Sequence, residues 1–321
     1  MRAMVMTDFG GPEVLVLQDF PEPDCGPGDL LIRVHAAAIN PVDCKTRMAP
    51  RWGDRAPPMV LGFDASGVVE QVGSAVEGFA PGDAVYCSPA LLREGAYAEL
   101  VAVDARVVAR KPETLSHVEA AAIPLAILTA WEALHDHARI QPGERVLIQA
   151  GAGGVGHFAI QLAKEAGCTV VTTAGYPESM ALCRELCADE VIDYTTQDPV
   201  EAAGSCDVVF DCVGGEVFNQ SIDCLGVGGR LVTIVPGVPG DQINKLFGKN
   251  ASLHFEFMGS AVMHERQPEK QAAILAEVAT RADAGKIKPH VSRIYTLEEI
   301  PDAHRQQESQ RTLGKLVVGM A

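Results

Sequence analysis

Three glycines in one short stretch have the spacing of a phosphate-binding turn. Residues 145–150 (RVLIQA) are an apolar run of strand type, and Gly151-x-Gly153-x-x-Gly156 follows directly. The next apolar residues recur at i, i+3, i+4, i+7 and i+8, which predicts one face of an α-helix. A strand, a glycine turn and a helix N-terminus in this order aim backbone N–H groups and the positive end of the helix dipole at a bound pyrophosphate. The residues expected to line this dinucleotide-binding turn are Gly151, Gly153, Gly154, Val155 and Gly156.

The choice of dinucleotide depends on the end of the next strand, predicted at residues 169–174. About 20 residues beyond the glycines, an Asp or Glu would bind the ribose hydroxyls of NAD. Residues 172–177 (TTAGYP) contain no acid, so the sequence favours NADPH. The same run contains no Lys or Arg to pair with a 2′-phosphate. Thr172 and Thr173 are the residues of this strand that we expect at the cofactor.

The turn must be positioned by a doubly wound parallel sheet. From residue 145 onward, six mostly apolar runs follow one another, mostly with helical stretches between them. Right-handed crossovers then favour the strand order 3-2-1-4-5-6, with the glycine turn after the first strand. We predict these strands at residues 145–150, 169–174, 190–193, 206–212, 229–235 and 253–258.

The first 110 residues predict a different, β-rich unit, because short apolar runs alternate with Gly, Pro and Asp clusters. A capping box that begins at Ser116 opens helical stretches reaching to about residue 138 and marks the change. The fold class is therefore α/β. The predicted domains are 1–120, the first part of a catalytic domain; 121–260, the nucleotide-binding domain; and 261–321, a return helix with the second part of the catalytic domain.

Three Pro-Gly-acid triplets each come directly before a predicted strand. Pro suits position i+1 of a type II turn, and Gly suits position i+2, where φ is positive. We therefore predict type II turns at residues 27–29, 81–83 and 142–144.

Composition and charge restrict the class of partner. The chain has 321 residues, of which 47% are apolar, and a formal net charge of −16. Such a chain can bury a large core, but its charge disfavours nucleic acid and anionic membrane surfaces. No signal-peptide pattern and no uncharged apolar run of about 18 residues occur, and the nine scattered cysteines are typical of reduced thiols. We expect a cytoplasmic protein with a small-molecule partner.

Five further motifs accompany the glycine turn over essentially the whole chain. They are residues 38–47 (AINPVDCKTR), 61–69 (LGFDASGVV), 81–85 (PGDAV), 127–131 (ILTAW) and 314–318 (GKLVV). Together they resemble the medium-chain dehydrogenase/reductase superfamily, and within it the zinc-independent quinone and enone oxidoreductases. The resemblance implies a GroES-like β-rich domain made from both ends of the chain, a Rossmann domain between them, an active site in the cleft and a homodimer.

The resemblance also shows which metal positions this chain lacks. Zinc-dependent members have a cysteine where Asn40 stands, a histidine where Phe63 stands and another cysteine where Leu125 stands. A catalytic zinc needs three protein ligands, and one amide with two apolar side chains does not supply them. His135 and His137 point away from each other on a helix, which favours a solvated or capping role. We therefore predict no metal.

The same resemblance supplies the candidate site residues. Asn40, at the vacated metal position, is expected to orient the substrate oxygen. Lys45 is expected near the nicotinamide or the developing oxyanion. Thr129 resembles a threonine that hydrogen-bonds the cofactor amide, and Tyr194 matches a tyrosine that reaches the 2′-phosphate.

Some of these residues have simpler interpretations. Asn40 before a proline is also typical of a turn initiator, and Lys45 on a short helix is typical of a solvated side chain. Asp43 is expected to cap or brace the segment rather than to donate protons. Trp52 is a candidate wall of the substrate pocket.

Without a metal, catalysis must come mostly from holding the reacting carbon and the carbonyl oxygen in place. The predicted activity is zinc-free hydride transfer from NADPH to quinones or α,β-unsaturated carbonyls. A reductase of enoyl thioesters would share every motif. The non-enzymatic alternative is an NADPH-binding redox sensor, structural protein or RNA binder, although the net charge disfavours RNA.

Overall fold

The chain folds into two compact units. The computed structural model describes residues 1–51, 53, 55–237 and 240–320. The first unit consists of Met1–Leu125 and the segment from Gly259 onward, and the second is Ala126–Met258. The sequence placed the corresponding boundaries after residues 120 and 260. Within the described ranges, no helix has the length and apolar character needed to cross a membrane.

Strands predominate in the first unit, whereas strands and helices alternate in the second. The strands are β1 (Arg2–Met6), β2 (Leu15–Asp19), β3 (Asp29–Ile39), β4 (Met59–Val60), β5 (Ala65–Val72), β6 (Ala84–Cys87), β7 (Leu100–Asp104), β8 (Val108–Arg110), β9 (Arg145–Ile148), β10 (Thr169–Ala174), β11 (Glu190–Asp193), β12 (Cys206–Asp211), β13 (Leu225–Thr233), β14 (Ser252–Phe255), β15 (Val291–Tyr295) and β16 (Lys315–Gly319). The α-helices are α1 (Pro41–Met48), α2 (His117–Ala121), α3 (Pro124–Trp131), α4 (Gly156–Glu165), α5 (Pro177–Glu185), α6 (Pro199–Ala203), α7 (Glu216–Cys224), α8 (Ile243–Gly248), α9 (Gly259–Met263), α10 (Glu269–Asp283) and α11 (Ile300–Glu308). A π-helical segment, Glu132–His137, continues α3.

The first unit is built on antiparallel pairing around the long strand β3. A three-stranded sheet has the order β2-β1-β4, and a larger sheet has the order β15-β16-β3-β5-β6-β8, with β7 also paired to β3. The last strand of the chain, β16, lies directly beside β3. Both ends of the chain therefore contribute to this unit. Its core contains the fully buried side chains of Met4, Ile32, Phe63 and Tyr97.

The second unit is a six-stranded parallel sheet. Its order is β11-β10-β9-β12-β13-β14, which is 3-2-1-4-5-6 in chain order, as predicted. Leu147, Val171, Val209 and Leu231 from four of these strands form the core of one sheet face. This sheet and the β-rich first unit confirm the predicted α/β class.

The three Pro-Gly-acid turns are not alike. Gly82 and Gly143 have φ of +95° and +86°, as type II turns require. The φ of Gly28 is not positive, so the type II turn predicted at residues 27–29 is wrong. The chain still turns there, because the N–H of Asp29 donates to the carbonyl of Gly26 at 3.0 Å. At this position glycine is not required by φ.

Strand β13 starts four residues earlier than predicted and ends two residues earlier. Its end coincides with a local hydrogen bond, because the hydroxyl of Thr233 accepts the N–H of Val235 and donates to Asp211 at 2.9 Å. These two bonds take the place of the backbone hydrogen bonds that a longer strand would form with its neighbours. The strand end therefore depends on one threonine, which the apolar pattern does not reveal.

Candidate functional site

The glycine turn joins β9 to α4 in the second unit. A Cβ on Gly156 would overlap the carbonyl oxygen of Ala150 and lie 2.8 Å from the Cα of Gly151. A Cβ on Gly151 would overlap the hydroxyl of Thr172. In contrast, a Cβ on Gly153 would meet only the carbonyl oxygen of Ala150, at 3.2 Å. Packing within the protein therefore requires glycine at positions 151 and 156. Glycine at position 153 is instead explained by close approach of a ligand to the backbone.

The conformation of this turn is unusual for its sequence. Ala150 has φ of +55°, a value that L-residues with a Cβ rarely adopt. Gly154 is half-buried in the turn, and Val155 has helical dihedral angles immediately before the first residue of α4. Such strained backbone is concentrated at functional sites. The turn is therefore a specific structure rather than a flexible glycine-rich link.

Thr172 and Thr173 support the turn from β10. The hydroxyl of Thr172 donates to the carbonyl of Ile148 at 2.7 Å. The hydroxyl of Thr173 accepts the N–H of Ala150 at 3.0 Å and donates to Gln149 at 2.8 Å. Both side chains are buried and engaged in these bonds. Their geometry favours an indirect role, in which they hold the turn in place.

Tyr194 lies beside the end of β10. A Cβ on Gly175 would overlap the phenol ring of Tyr194, so ring and backbone are in close contact. Tyr194 is 49% exposed and Tyr176 is 41% exposed, so two accessible tyrosines flank Gly175. Ser179 caps the start of α5, because its hydroxyl accepts the backbone N–H of Tyr176 at 3.0 Å. This is the end of the second strand, where the sequence places recognition of the ribose.

The remaining cofactor candidate, Thr129, lies on α3 and is 6% exposed. The helix has no charged residue over its eight positions. Its threonine hydroxyl is therefore one of few polar groups that this helix supplies.

In the first unit, Asn40 immediately precedes α1. The backbone N–H of Asn40 donates to Asp43 Oδ2 at 2.7 Å, and Asp43 Oδ1 accepts the N–H of Gly62 at 3.1 Å. Asp43 therefore braces the start of α1 against the segment before β5, as expected of it. Burial raises the pKa of Asp43 to about 7, and the nearby charge of Asp64 acts in the same direction.

The side chain of Asn40 belongs to a buried polar network. Its Nδ2 donates to Asp64 Oδ2 at 2.8 Å, and its Oδ1 accepts from Lys315 Nζ at 2.5 Å. Lys315 also pairs with Asp64 Oδ2 at 3.0 Å. The other oxygen of Asp64 accepts the backbone N–H of Leu125 at 2.7 Å. Burial raises the pKa of Asp64, and the Lys315 ammonium opposes that effect.

Asp64 and Lys315 were not among the sequence candidates for the site. A signal for both was present, because charged residues are almost never fully buried unless they are paired. Asp64 stands in the apolar run LGFDASGVV, and Lys315 stands in GKLVV. Neither run by itself indicates which residue pairs with its charged side chain.

Lys45 is exposed on α1. Partial burial of its ammonium and the positive charge of Arg51 lower its pKa. Its helix is fixed by Arg47, whose guanidinium donates to His304 Nδ1 at 3.0 Å and pairs with Glu308 at 2.5 Å on α11. Burial and this guanidinium lower the pKa of His304 to about 3. Arg47 thus anchors the helix from which Lys45 projects.

At the three positions where the resemblance places the ligands of zinc-dependent members, this chain has Asn40, Phe63 and Leu125. Asn40 is committed to Asp64 and Lys315, and Phe63 is fully buried in the apolar core. Among the described residues, no group of three or more His, Cys, Asp or Glu side chains could hold a metal ion. Trp52, the predicted pocket wall, lies outside the described residues.

A cavity of about 530 Å³ lies elsewhere on the second unit. It is lined by Arg139, Arg230, His137 and His254, among others, and not by the glycine turn. His137 Nε2 lies 3.0 Å from the carboxylate of the buried Glu256. His137 is 35% exposed in the last turn of its helical segment, and the expected solvated or capping role omitted one partner, a carboxylate that the fold places against its ring from the segment after β14.

Two family models match the chain. Residues 26–113 match the alcohol dehydrogenase GroES-like domain, and residues 186–318 match the zinc-binding dehydrogenase family. The chain is 34% identical to a 2-methylene-furan-3-one reductase of Solanum lycopersicum, over 99% of this chain and 79% of the relative. It is 33% identical to the chloroplastic NADPH-dependent alkenal/one oxidoreductase of Arabidopsis thaliana, with the same coverage.

Two solved structures superpose on essentially the whole of this chain. An NAD-dependent alcohol dehydrogenase superposes with a TM-score of 0.90 at 34% identity, covering 100% of both chains. The Escherichia coli quinone oxidoreductase in complex with NADPH superposes with a TM-score of 0.88 at 28% identity, covering 99% of this chain and 100% of the other.

Proposed function

Because the chain belongs to the medium-chain dehydrogenase/reductase superfamily, among its quinone and enone oxidoreductases, we propose that it transfers hydride from NADPH to quinones or α,β-unsaturated carbonyls without zinc. The observation that carries the proposal is the glycine turn. Gly151 and Gly156 are required by packing, whereas Gly153 is free to admit a pyrophosphate against the backbone. The names of the Solanum and Arabidopsis relatives support an enone as the acceptor.

The preference for NADPH rests on the end of β10. No carboxylate is present between Thr172 and Pro177 to bind ribose hydroxyls. Tyr194 is 49% exposed and its phenol lies against Gly175, at the strand end where we place the 2′-phosphate. The Arabidopsis relative and the Escherichia coli structure are named for NADPH, and the structural neighbour with 34% identity is named for NAD. Measurement of both affinities is therefore part of the test.

NADPH supplies the hydride, and the protein supplies binding and orientation. Hydride addition to the β-carbon of an enone leaves negative charge on the carbonyl oxygen, and hydrogen-bond donors stabilise such charge. Asn40 is the amide donor that we assign to this oxygen. Lys45 is the cation that we assign to the neighbourhood of the developing charge or the nicotinamide.

The donor set at the three positions of the zinc ligands does not suit zinc. Asn40, Phe63 and Leu125 stand where relatives have Cys, His and Cys, and the amide of Asn40 is already bonded on both sides. Three protein ligands are the minimum for a catalytic zinc. We expect no loss of activity on treatment with a chelator.

We also propose that the protein is a homodimer that associates through β14. Among the described strands, β14 pairs only with β13 and forms one edge of the six-stranded sheet. Phe255 on this strand is 55% exposed, and Phe257 just beyond it is 42% exposed. An unpaired edge with exposed aromatic side chains is a template for strand pairing with a second chain.

The test is stopped-flow oxidation of NADPH with three acceptors: a quinone, a small enal and crotonyl-CoA. We expect turnover of the quinone, the enal or both, and tighter binding of NADPH than of NADH. Turnover of crotonyl-CoA alone would identify a thioester reductase instead. Binding of NADPH without turnover of any acceptor would favour the non-enzymatic alternative, and an equal or tighter affinity for NADH would overturn the cofactor assignment.

Lys45→Ala tests the second catalytic candidate. Lys45 is exposed and forms no ion pair with another described residue, so its loss should change the free energy of unfolding by less than about 0.5 kcal/mol. We expect kcat/KM for the enal to fall about tenfold or more, because a positive charge near the oxyanion is lost. Lys286→Ala, at another exposed lysine of the same unit, is the matched control and should leave kcat/KM unchanged. Wild-type kinetics in Lys45→Ala would remove this residue from the mechanism.

A further inference from the structure

We propose that Lys315 is a positioning residue, which fixes the Asn40 amide so that it presents an N–H, and not its oxygen, to the substrate carbonyl. This inference rests on the proposed function, because it deepens the role of Asn40 in that reaction. Lys315 lies 275 residues from Asn40 along the chain. It is the first residue of β16, and this strand pairs with the end of β3 directly before Asn40.

The contacts form a closed triangle of three buried side chains. Lys315 Nζ donates to Asn40 Oδ1 at 2.5 Å, Asn40 Nδ2 donates to Asp64 Oδ2 at 2.8 Å, and Lys315 Nζ donates to the same carboxylate oxygen at 3.0 Å. Each of the three residues is 2% exposed or less. Water therefore cannot easily replace any of these bonds.

The chemistry of the partners determines which way the amide faces. An ammonium group has only donors and an ionised carboxylate has only acceptors. The amide oxygen must therefore face Lys315, and the amide nitrogen must face Asp64. Reversal of the amide would set its N–H groups against an ammonium and its oxygen against a carboxylate.

One hydrogen of the Asn40 amide is left over. The NH₂ group has two hydrogens, and only the bond to Asp64 is formed among the described residues. Asn40 can thus offer a donor, while its acceptor is occupied by Lys315. A donor stabilises the negative charge that develops on a carbonyl oxygen, and an acceptor would repel it.

Stability alone is a weak reason for this arrangement. A buried ion pair is often no more stabilising than apolar residues of the same volume, because desolvation offsets the attraction. Lys315 stands in a strand whose next three residues, Leu316, Val317 and Val318, are all buried and apolar. A lysine at this position is better explained by the orientation that it imposes on Asn40.

The kinetic test is a double-mutant cycle between Lys315→Met and Asn40→Ala, read as the single-turnover rate of hydride transfer from NADPH to a small enal. We expect Lys315→Met to lower this rate tenfold or more in the wild-type background, with a smaller change in KM. In the Asn40→Ala background the same substitution should have almost no effect. Equal losses in both backgrounds would show that Lys315 does not act through Asn40 and would overturn the proposal.

Asn40→Asp is the second variant and keeps the bond to Lys315. It replaces the amide NH₂ group by an acceptor oxygen, so the outward donor and the bond to Asp64 are both lost, and we expect hydride transfer at least as slow as in Asn40→Ala. Because two buried carboxyl groups then face each other, urea unfolding checks that this variant is folded. Wild-type rates in Asn40→Asp would contradict the proposal even if Lys315→Met failed to fold. Lys286→Met serves as the control and should behave as wild type.

A measurement without turnover separates failure of this inference from failure of the proposed function. In ¹⁵N NMR spectra, the side-chain signals of Asn40 are identified by their loss in Asn40→Asp. We expect one Nδ2 hydrogen to exchange slowly with D₂O, because it is bonded to Asp64, and the other to exchange faster. Equal rapid exchange of both would refute the fixed amide, whatever the enzyme reduces.

Discussion

At the scale of single residues, the carboxyl group of Asp43 makes the structure around Asn40 sensitive to pH. It is fully buried and accepts two backbone N–H groups, those of Asn40 and Gly62. Desolvation raises its pKa to about 7, with Asp64 acting in the same direction and with Lys315 and the Tyr97 hydroxyl acting against it. The unfolded chain has an ordinary Asp pKa near 3.8.

Asp43→Asn tests this effect. Between about pH 4 and pH 7 the folded chain holds a proton on Asp43 that the unfolded chain has lost, so stability falls as the pH rises through that range. Relative to the Asn variant, which does not titrate, the wild type should lose about 2–3 kcal/mol of unfolding free energy between pH 5 and pH 8. Urea unfolding at both pH values measures the difference. Parallel behaviour of the two proteins would show that Asp43 has an ordinary pKa.

The candidate residues of the first unit were only partly predictable for a physical reason. Asn40, Asp43 and Lys45 lie in one motif, so their proximity is a property of the local sequence. Asp64 and Lys315 join them only through strand pairing of β3 with β5 and β16. A pattern in one segment indicates that a charge needs a partner, but the partner depends on the tertiary fold.

At the scale of elements, the glycines of the turn between β9 and α4 have different roles. Gly156 permits close packing of the helix on the turn, and Gly151 permits contact with β10. A Cβ on Gly153 would meet a single protein atom within 4 Å, the carbonyl oxygen of Ala150 at 3.2 Å, which is a tight contact but not an overlap. Folding and ligand binding should therefore respond differently to single substitutions.

Gly153→Ala and Gly156→Ala separate these roles. We expect Gly153→Ala to raise the Kd for NADPH tenfold or more and to change the free energy of unfolding by less than about 1 kcal/mol. Gly156→Ala should instead lose about 2 kcal/mol or more, because its Cβ overlaps backbone atoms. Fluorescence titration and urea unfolding provide the two values. Gly28→Ala, in open space with an ordinary φ, is the control, and an unchanged Kd in Gly153→Ala would remove the turn from cofactor binding.

The elements themselves were predictable where the apolar pattern is uninterrupted. Strands β10 and β11 have the predicted limits, and so does the order of the sheet. The start of strand β13 was predicted four residues late, because Gly226, Gly228 and Gly229 lie near its beginning. Glycine is depleted in strands, so its presence indicated a loop. The strand nevertheless begins at Leu225, which pairs with Cys206 of β12, and the glycines fall in the irregular stretch before the register resumes at Arg230 and Val208.

At the scale of the whole molecule, Phe255→Glu tests the proposed homodimer. A charge on the edge strand β14 opposes pairing with a second chain and leaves the buried residues of the sheet unchanged. We expect analytical ultracentrifugation to give a dimer for the wild type and a monomer for the variant. Val16→Glu, on an exposed position of β2 in the first unit, is the matched control and should stay dimeric. A dimeric Phe255→Glu variant would place the interface elsewhere.

The position of β16 between β15 and β3 has a consequence for synthesis of the protein. The second unit is one continuous segment, Ala126–Met258, and can fold as soon as that segment has left the ribosome. The first unit begins earlier but must wait on the order of seconds longer, until Lys315 has been added. During that interval Asp64 has no ammonium partner, and the sheet edge that β16 will cover is open. The part of the chain made first is thus completed last, and a chaperone that binds nascent chains would find its target in the N-terminal segment.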